Sequence, residues 1–320
     1  MTRSVLTIAT GKPLYLNMAV ALARSFKLWN AENGIGFTVV TDRPDLIPAD
    51  LGDVRVIEIE PGEYGVGFST KLHIDHFANA DATLFIDADC LVYRDLGPVF
   101  ERFAGHGVSA VGRDVSDGEW FGDIAARCSA FGVEAVPKFV GAMYYLERGP
   151  VSDSVFKTAR ELEPRYDEIG LVRLRGRPNE EPLVSLAMAL HDQHPVPDDG
   201  SIKADAMHFP DGINVDVFSG DAVFRNTSGL VTTTTTPGLT VARPAVAHFN
   251  DAFAEVLPYV RETRRLDLRL GRGWNGRAAD LYAAFTETLP RTGLTVAKNA
   301  LRPVYRRLFG TRAVKTNPRV

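Results

Sequence analysis

The sequence predicts an α/β fold, a mostly parallel sheet flanked by helices, and three observations carry that prediction. Val5-Leu6-Thr7-Ile8-Ala9, Phe37-Thr38-Val39-Val40-Thr41 and Val54 to Ile59 read as strands, and the first two are separated by one helix-length segment. Strand, helix and strand at this spacing make βαβ units. Leu14, Met18, Leu22, Phe26 and Trp29 recur at the i, i+4 spacing of a helix that packs onto a sheet. Thr83-Leu84-Phe85-Ile86 is β-branched or large and apolar without polar alternation, and it stops abruptly at Asp87 and Asp89. Such a run is a strand buried on both faces.

Taken in order, Gly11-Lys12-Pro13 turns the first strand into a helix from about Leu14 to Trp29, and Asp42-Arg43-Pro44 closes the second strand. Ser69 to Asn79 reads as the next helix, with Leu72, His73, His76 and Phe77 on one face, and it delivers the chain to the Asp87 strand. Val108 to Gly112 continues the strand pattern. Arg113 to Gly132 is a long irregular connection rich in acids and aromatics, of the kind usually kept for function. Phe139 to Leu146 is a further strand, whose Gly141 suggests close backbone approach by a ligand. Val151 to Leu162 is helical. Asn179 then caps a helix that runs from Glu180 through Leu190, with Glu180 and Glu181 favoured in its first turn. Beyond His191 come short strands and turns, among them a threonine run, Thr232 to Thr236, that reads as an edge or linker strand. From Asp251 the chain reads as helical. The division expected is a domain over 1–251 and a helical extension over 252–320, basic from about residue 291.

Composition bounds the function. The 320 residues are 45% hydrophobic and 24% charged, a globular profile, and no apolar run approaches the roughly 20 residues of a membrane-spanning helix. Met1-Thr2-Arg3-Ser4 leads into a strand rather than a signal sequence, and Cys90 and Cys128 lack metal-ligand spacing. A reduced, cytoplasmic compartment is expected. Residues from Arg291 onward carry eight basic side chains and no acid, so a chain of net charge −4 holds a tail of +8 on a body of −12. An acidic body does not bind nucleic acid. Leu294, Ala297, Leu301, Val304, Tyr305 and Leu308 fall at helical spacing between Lys298, Arg302, Arg306 and Arg307, which suits a peripheral helix on an anionic membrane face, broken in two by Pro303. Attraction of that helix to the acidic body is the competing reading.

The chemistry converges on Asp87 and Asp89. Ligands of an open α/β sheet bind beyond the carboxyl ends of its strands, and alternation sends two acids separated by one residue to the same side. Paired carboxylates suit Mg²⁺ or Mn²⁺, although the spacing alone is common and a plain turn is the bland alternative. Each remaining candidate also has a bland reading. Tyr15 packs on the sheet, and His248 is a hydrogen-bonded core histidine; His208 is a rival ligand.

Thr10, Tyr15, Thr70-Lys71-Leu72-His73, the block Phe85-Ile86-Asp87-Ala88-Asp89-Cys90-Leu91-Val92 and His248-Phe249, in this order, resemble the GT-A glycosyltransferases. The likeness is to the glycogenin and lipopolysaccharide galactosyltransferase-like group, family 8; it runs from about Val5 to Asp251 and omits the basic tail. It implies a Rossmann-like sheet and transfer of a sugar from a nucleotide-sugar, usually UDP-linked, to an acceptor hydroxyl with retention. The acceptor would be a cell-surface glycan or glycolipid. Asp87 and Asp89 would hold Mn²⁺ against the diphosphate with His248 as third ligand, Tyr15 would stack on the base, Thr10 would touch it, and Lys71 would meet donor phosphate or sugar. Glu180-Glu181 stands where relatives carry Asp-Gln toward the donor sugar, and which glutamate takes that role stays open. Phe139-Val140-Gly141-Ala142 lacks the asparagine of the usual strand, leaving Gly141 as the donor-side contact, and Asn250-Asp251 replaces the glycine and lysine that follow the histidine. A nucleotidyltransferase and a non-catalytic nucleotide-sugar binder remain the alternatives; Thr10-Gly11-Lys12-Pro13 is thin for the former.

Overall fold

A computed structural model describes residues 1–229, 231 and 238–310. The threonine run 232–236 and Arg312, Lys315 and Arg319 of the tail lie outside them. The chain divides into two units, Met1–His248 and Phe249–Val320.

The first unit is built on β1 (Arg3–Ala9), β2 (Ile35–Thr41), β3 (Arg55–Glu58) and β4 (Ala82–Ile86), with α1 (Pro13–Asn30) crossing from β1 to β2. The short helix α2 (Ile74–Phe77) precedes β4, and β5 (Cys90–Val92) and α3 (Gly97–Phe103) follow it. β6 (Val108–Ser109), β7 (Val111–Val115), α4 (Ile124–Phe131), β8 (Val136–Phe139) and β9 (Met143–Glu147) follow, then α5 (Pro150–Leu162) and α6 (Glu180–Leu190). The main sheet has the order β3-β2-β1-β4-β9-β6. Its first four strands are parallel, and β9 runs antiparallel to β4 with Ile86 opposite Met143. Thr83, Leu84, Phe85 and Ile86 are fully buried, as their unbroken apolar run requires.

The structure departs from the sequence reading in three places, and in two of them the chain changes partner in mid-run. Phe139 to Leu146 is two strands, because β8 belongs to a second sheet, β10-β7-β8 with β10 at Val196–Pro197, and only β9 joins the main one. Val108 to Gly112 divides at Ala110 between β6 and β7 for the same reason. Ser69 to Asn79 is a 3₁₀ segment, Gly67–His73, followed by the single turn α2. Thr70, Leu72 and Ile74 are all buried, a spacing of two that one α-helical face does not offer.

A third sheet, β11-β15-β5, joins β11 (Lys203–Asp205), β15 (Val246–His248) and β5. β11 is parallel to β15 and β15 antiparallel to β5, so Asp205, His248 and Cys90 stand opposite one another in a row. β12 (Gly212–Asp216), β13 (Asp221–Arg225) and β14 (Val241–Ala242) form an antiparallel sheet beyond it.

The second unit is helical: α7 (Tyr259–Leu266), α8 (Gly276–Ala283) and α9 (Leu289–Phe309). Buried Glu262 and Arg265 pair at 3.0 Å within α7, and Arg265 reaches Asp280 of α8 at 2.7 Å. α9 continues through Pro303 instead of breaking there; one backbone donor is lost, and the helix runs on to Phe309. Among the described residues no helix is long and apolar enough to cross a membrane.

Candidate active site

β4 ends at Ile86 and β5 begins at Cys90, so Asp87-Ala88-Asp89 is a tight turn rather than a strand continuation. Cys90 N–H donates to the Asp87 carbonyl at 3.0 Å, and Asp87 N–H donates to the Ala142 carbonyl at 2.9 Å. Strand alternation, which predicted two carboxylates on one side, does not apply inside a turn. The two acids accordingly meet different partners.

Asp87 meets Lys71. The ammonium lies 2.7 Å from Asp87 Oδ2, 3.1 Å from the Gly141 carbonyl and 3.0 Å from Glu180 Oε1. Burial opposes its charge, but Asp87 and Glu180 outweigh this and lift its pKa above the ordinary lysine range. The N-cap that the sequence predicts is formed: Asn179 Oδ1 accepts from Glu181 N–H at 2.7 Å and starts α6 at Glu180. Glu180 is buried, and its second oxygen, Oε2, has no partner. Glu181 Oε1 accepts from Gly141 N–H at 2.7 Å; burial, then the neighbouring Glu180 charge, pushes its pKa up to about 8.

Asp89 meets His248, whose Nε2 lies 3.3 Å from Asp89 Oδ1. The other ring nitrogen, Nδ1, lies 2.6 Å from Asp205 Oδ1, and Asp205 Oδ2 is 2.6 Å from the Lys203 ammonium. Burial disfavours the charged ring, but Asp89 and Asp205 carry its pKa up to about 10. Burial also opposes ionisation of Asp205; Lys203 and His248 nevertheless hold its carboxyl well below the usual range. His208, the rival ligand, stands 3.9 Å from Asp205 on the far side of this carboxylate.

Thr10 follows β1 and Tyr15 lies in the first turn of α1, both half-buried, at the edge where β1 and its parallel neighbour β4 end. Lys12 sits 5.9 Å from the Tyr15 ring centre. At Gly141 the space a Cβ would fill is taken by protein atoms. A Cβ there would stand 2.6 Å from the Tyr144 hydroxyl, 2.7 Å from Glu180 Oε1 and 2.8 Å from Glu181 Cγ.

Among the described residues, the group placed to hold a metal ion is Asp89, Cys90 and His248, whose ligand atoms lie within 4.8 Å of one another. The carboxylate oxygen fits Mn²⁺ or Mg²⁺, the imidazole nitrogen favours the transition ion Mn²⁺ of the two, and a second carboxylate behind the histidine is the usual support for such a ligand. Cys90 is there as the strand neighbour of His248; burial pushes its thiol pKa well up, leaving a neutral, weak donor. Asp87 is outside the group because Lys71 holds it.

No family model matches the chain, and no curated protein matches it. Among solved structures, an active-site mutant of LgtC with glutamine replaced by glutamate matches 77% of this chain and 87% of its own, at 15% identity and a TM-score of 0.50. The galactosyltransferase LgtC with donor and acceptor sugar analogues matches over the same shares at 13% identity and a TM-score of 0.50. This is the GT-A fold of LgtC. The glycosyltransferase GlyE of Streptococcus pneumoniae TIGR4 matches at a TM-score of only 0.41, over 62% of this chain and 45% of its own, at 15% identity. At such identities the likeness is one of fold. Two residues of this GT-A site escaped the sequence reading, Lys203 and Asp205. Their signal was present: two charges alternate with Ile202, Ala204 and Ala206 on a buried strand, where charges persist only when paired.

Proposed function

We propose that the chain is a glycosyltransferase that moves a sugar from a UDP-linked donor to an acceptor hydroxyl, with retention. Its divalent cation, Mn²⁺ or Mg²⁺, is held by Asp89 and His248 with Asp87 beside them. The observation that supports this is the Asp89–His248 pair at 3.3 Å, backed by Asp205, at the carboxyl edge of a GT-A sheet. When bound, the cation offsets the negative charge that the departing diphosphate develops. Asp89 and His248 would supply a carboxylate oxygen and a ring nitrogen to it. Lys71 fixes the Asp87 end of the turn and adds positive charge beside it, Tyr15 offers a half-buried ring to the base, and Thr10 lies at the same edge. Glu181, less buried than Glu180 and bonded to Gly141, takes the donor-sugar side, while Glu180 holds Lys71. Retention rests on the family-8 resemblance.

Thermal shift with Mn²⁺, with UDP and with both, followed by a donor screen for UDP release, tests this reading. Stabilisation that needs both ligands, and UDP release from one nucleotide-sugar, is expected. A melt moved by neither ligand indicates a scaffold, and pyrophosphate release from a nucleoside triphosphate indicates nucleotidyl transfer.

The acceptor is proposed to be a glycan or glycolipid met at an anionic membrane surface. The support is α9: every side chain from Leu289 to Leu308 is exposed, and no acid lies within it. Leu294, Leu301, Val304, Tyr305 and Leu308 share one arc, and Arg291, Lys298, Arg302 and Arg306 flank it along one side. Cosedimentation with anionic vesicles at low salt is expected, and removing 291–320 is expected to abolish it. Binding unchanged by the truncation would return the acceptor to solution.

A further inference from the structure

We infer that Asp205, held by Lys203, is a positioning residue that sets the His248 ring for cation binding. This rests on the proposed cation at Asp89 and His248. The three strands β11, β15 and β5 place Asp205, His248 and Cys90 in one cross-strand row, so the Asp205 carboxylate reaches the ring edge-on. Both of its oxygens are committed. Oδ1 lies 2.6 Å from His248 Nδ1 and Oδ2 lies 2.6 Å from Lys203 Nζ. All three residues are at most 5% exposed, so no water competes for these bonds. A carboxylate accepts only, so Nδ1 must carry the proton and donate it. Nε2 faces Asp89, 3.3 Å away; it carries a proton while the ring is charged and would release that proton to become the ligand atom, whereas Nδ1 keeps its own.

Without Asp205 the neutral ring has two tautomers and freedom to turn, and the tautomer protonated on Nε2 presents no lone pair to the cation. Without Lys203 the carboxylate keeps its bond to His248 but loses its second anchor. A buried acid between a lysine and a histidine also has a purely structural reading, as a paired charge in a strand. The two readings part on what happens to the ring.

The test measures Mn²⁺ affinity by electron paramagnetic resonance of the free ion, with UDP present, on the full chain. In parallel, nitrogen-15 spectra of the His248 ring are recorded without metal at a pH above its pKa of about 10, where the ring is neutral and its tautomer visible, and melting is followed in EDTA. Asp205→Ala is expected to weaken Mn²⁺ by about 10- to 100-fold, the usual cost of losing such a partner. Asp205→Asn keeps the volume and one acceptor oxygen, so it guards against misfolding; it is expected to weaken Mn²⁺ less and to leave the ring a tautomer mixture. Lys203→Met is expected to cause a smaller loss with Nδ1 still protonated. Unchanged Mn²⁺ affinity in a folded Asp205 variant, or a wild-type ring lacking the Nδ1 proton, overturns the assignment. If the wild-type chain itself fails to bind Mn²⁺, the cation reading falls first and this one with it.

Discussion

The turn Asp87-Ala88-Asp89 has an ion pair on each side, and the two are built for different ends. On the Asp87 side Lys71 spends all three ammonium hydrogens on protein oxygens, drawn from the turn, from Gly141 and from α6. On the Asp89 side His248 is gripped from behind by Asp205, and its front nitrogen meets only a carboxylate at 3.3 Å. Saturation makes the first pair a clip that joins three segments. In the second, the facing nitrogen and carboxylate are the two atoms proposed to hold the cation. Charge of equal size, a few residues apart, thus stabilises the fold in one case and waits for a partner in the other.

The largest effect is expected on the open side. Asp89→Asn removes one proposed cation ligand from a partly buried turn while keeping its volume, and should abolish Mn²⁺-dependent turnover with little change in melting. Turnover at the wild-type rate would show that Asp89 holds no cation. Lys71→Ala is expected to act on both counts. It leaves Glu180 buried with neither oxygen bonded, a loss of about 3–5 kcal/mol for a broken buried pair, and it lowers kcat on the order of 10²-fold. Glu180→Gln in the same chain should recover much of the stability and little of the rate. A fall in kcat with an unshifted melt would mean that Lys71 belongs to the open side.

The smallest effect is expected at Glu181. Its folded pKa, about 8, lies above the unfolded carboxyl value of 4.5, so the favourable contribution of the protonated form is complete below pH 4.5. It is lost as pH rises toward 8, because the unfolded chain ionises while the folded one resists. Glu181→Gln, which keeps an acceptor for Gly141 N–H, should therefore melt above wild type at pH 8 to 9 and converge with it near pH 4.5. Parallel melting curves across that range would place Glu181 in solvent contact rather than against Glu180.

Much of the scaffold was legible because local rules dominate there. The Thr83 to Ile86 run named a buried strand, α1 follows its i, i+4 apolar spacing, and Asn179 caps α6 as its side chain dictates. The site was legible in its members and not in their pairing. Alternation does not reach Asp87 and Asp89, since the strand ends at Ile86, and the missing side chain at Gly141 does not by itself say which protein groups fill its space. Asp205 lies 43 residues from His248, and only the parallel pairing of β11 with β15 brings them together.

Gly141 also limits what mutation can explore. Its two backbone groups are engaged by Lys71 and Glu181, and the volume of a methyl group there is already occupied by Tyr144, Glu180 and Glu181. A library randomised over 139–143 and selected for activity should return glycine alone at this position, while half-buried Val140 beside it accepts several residues. Change in donor preference must then come from the side chains around the glycine, and at least one of these has to shrink before the glycine itself is free to vary.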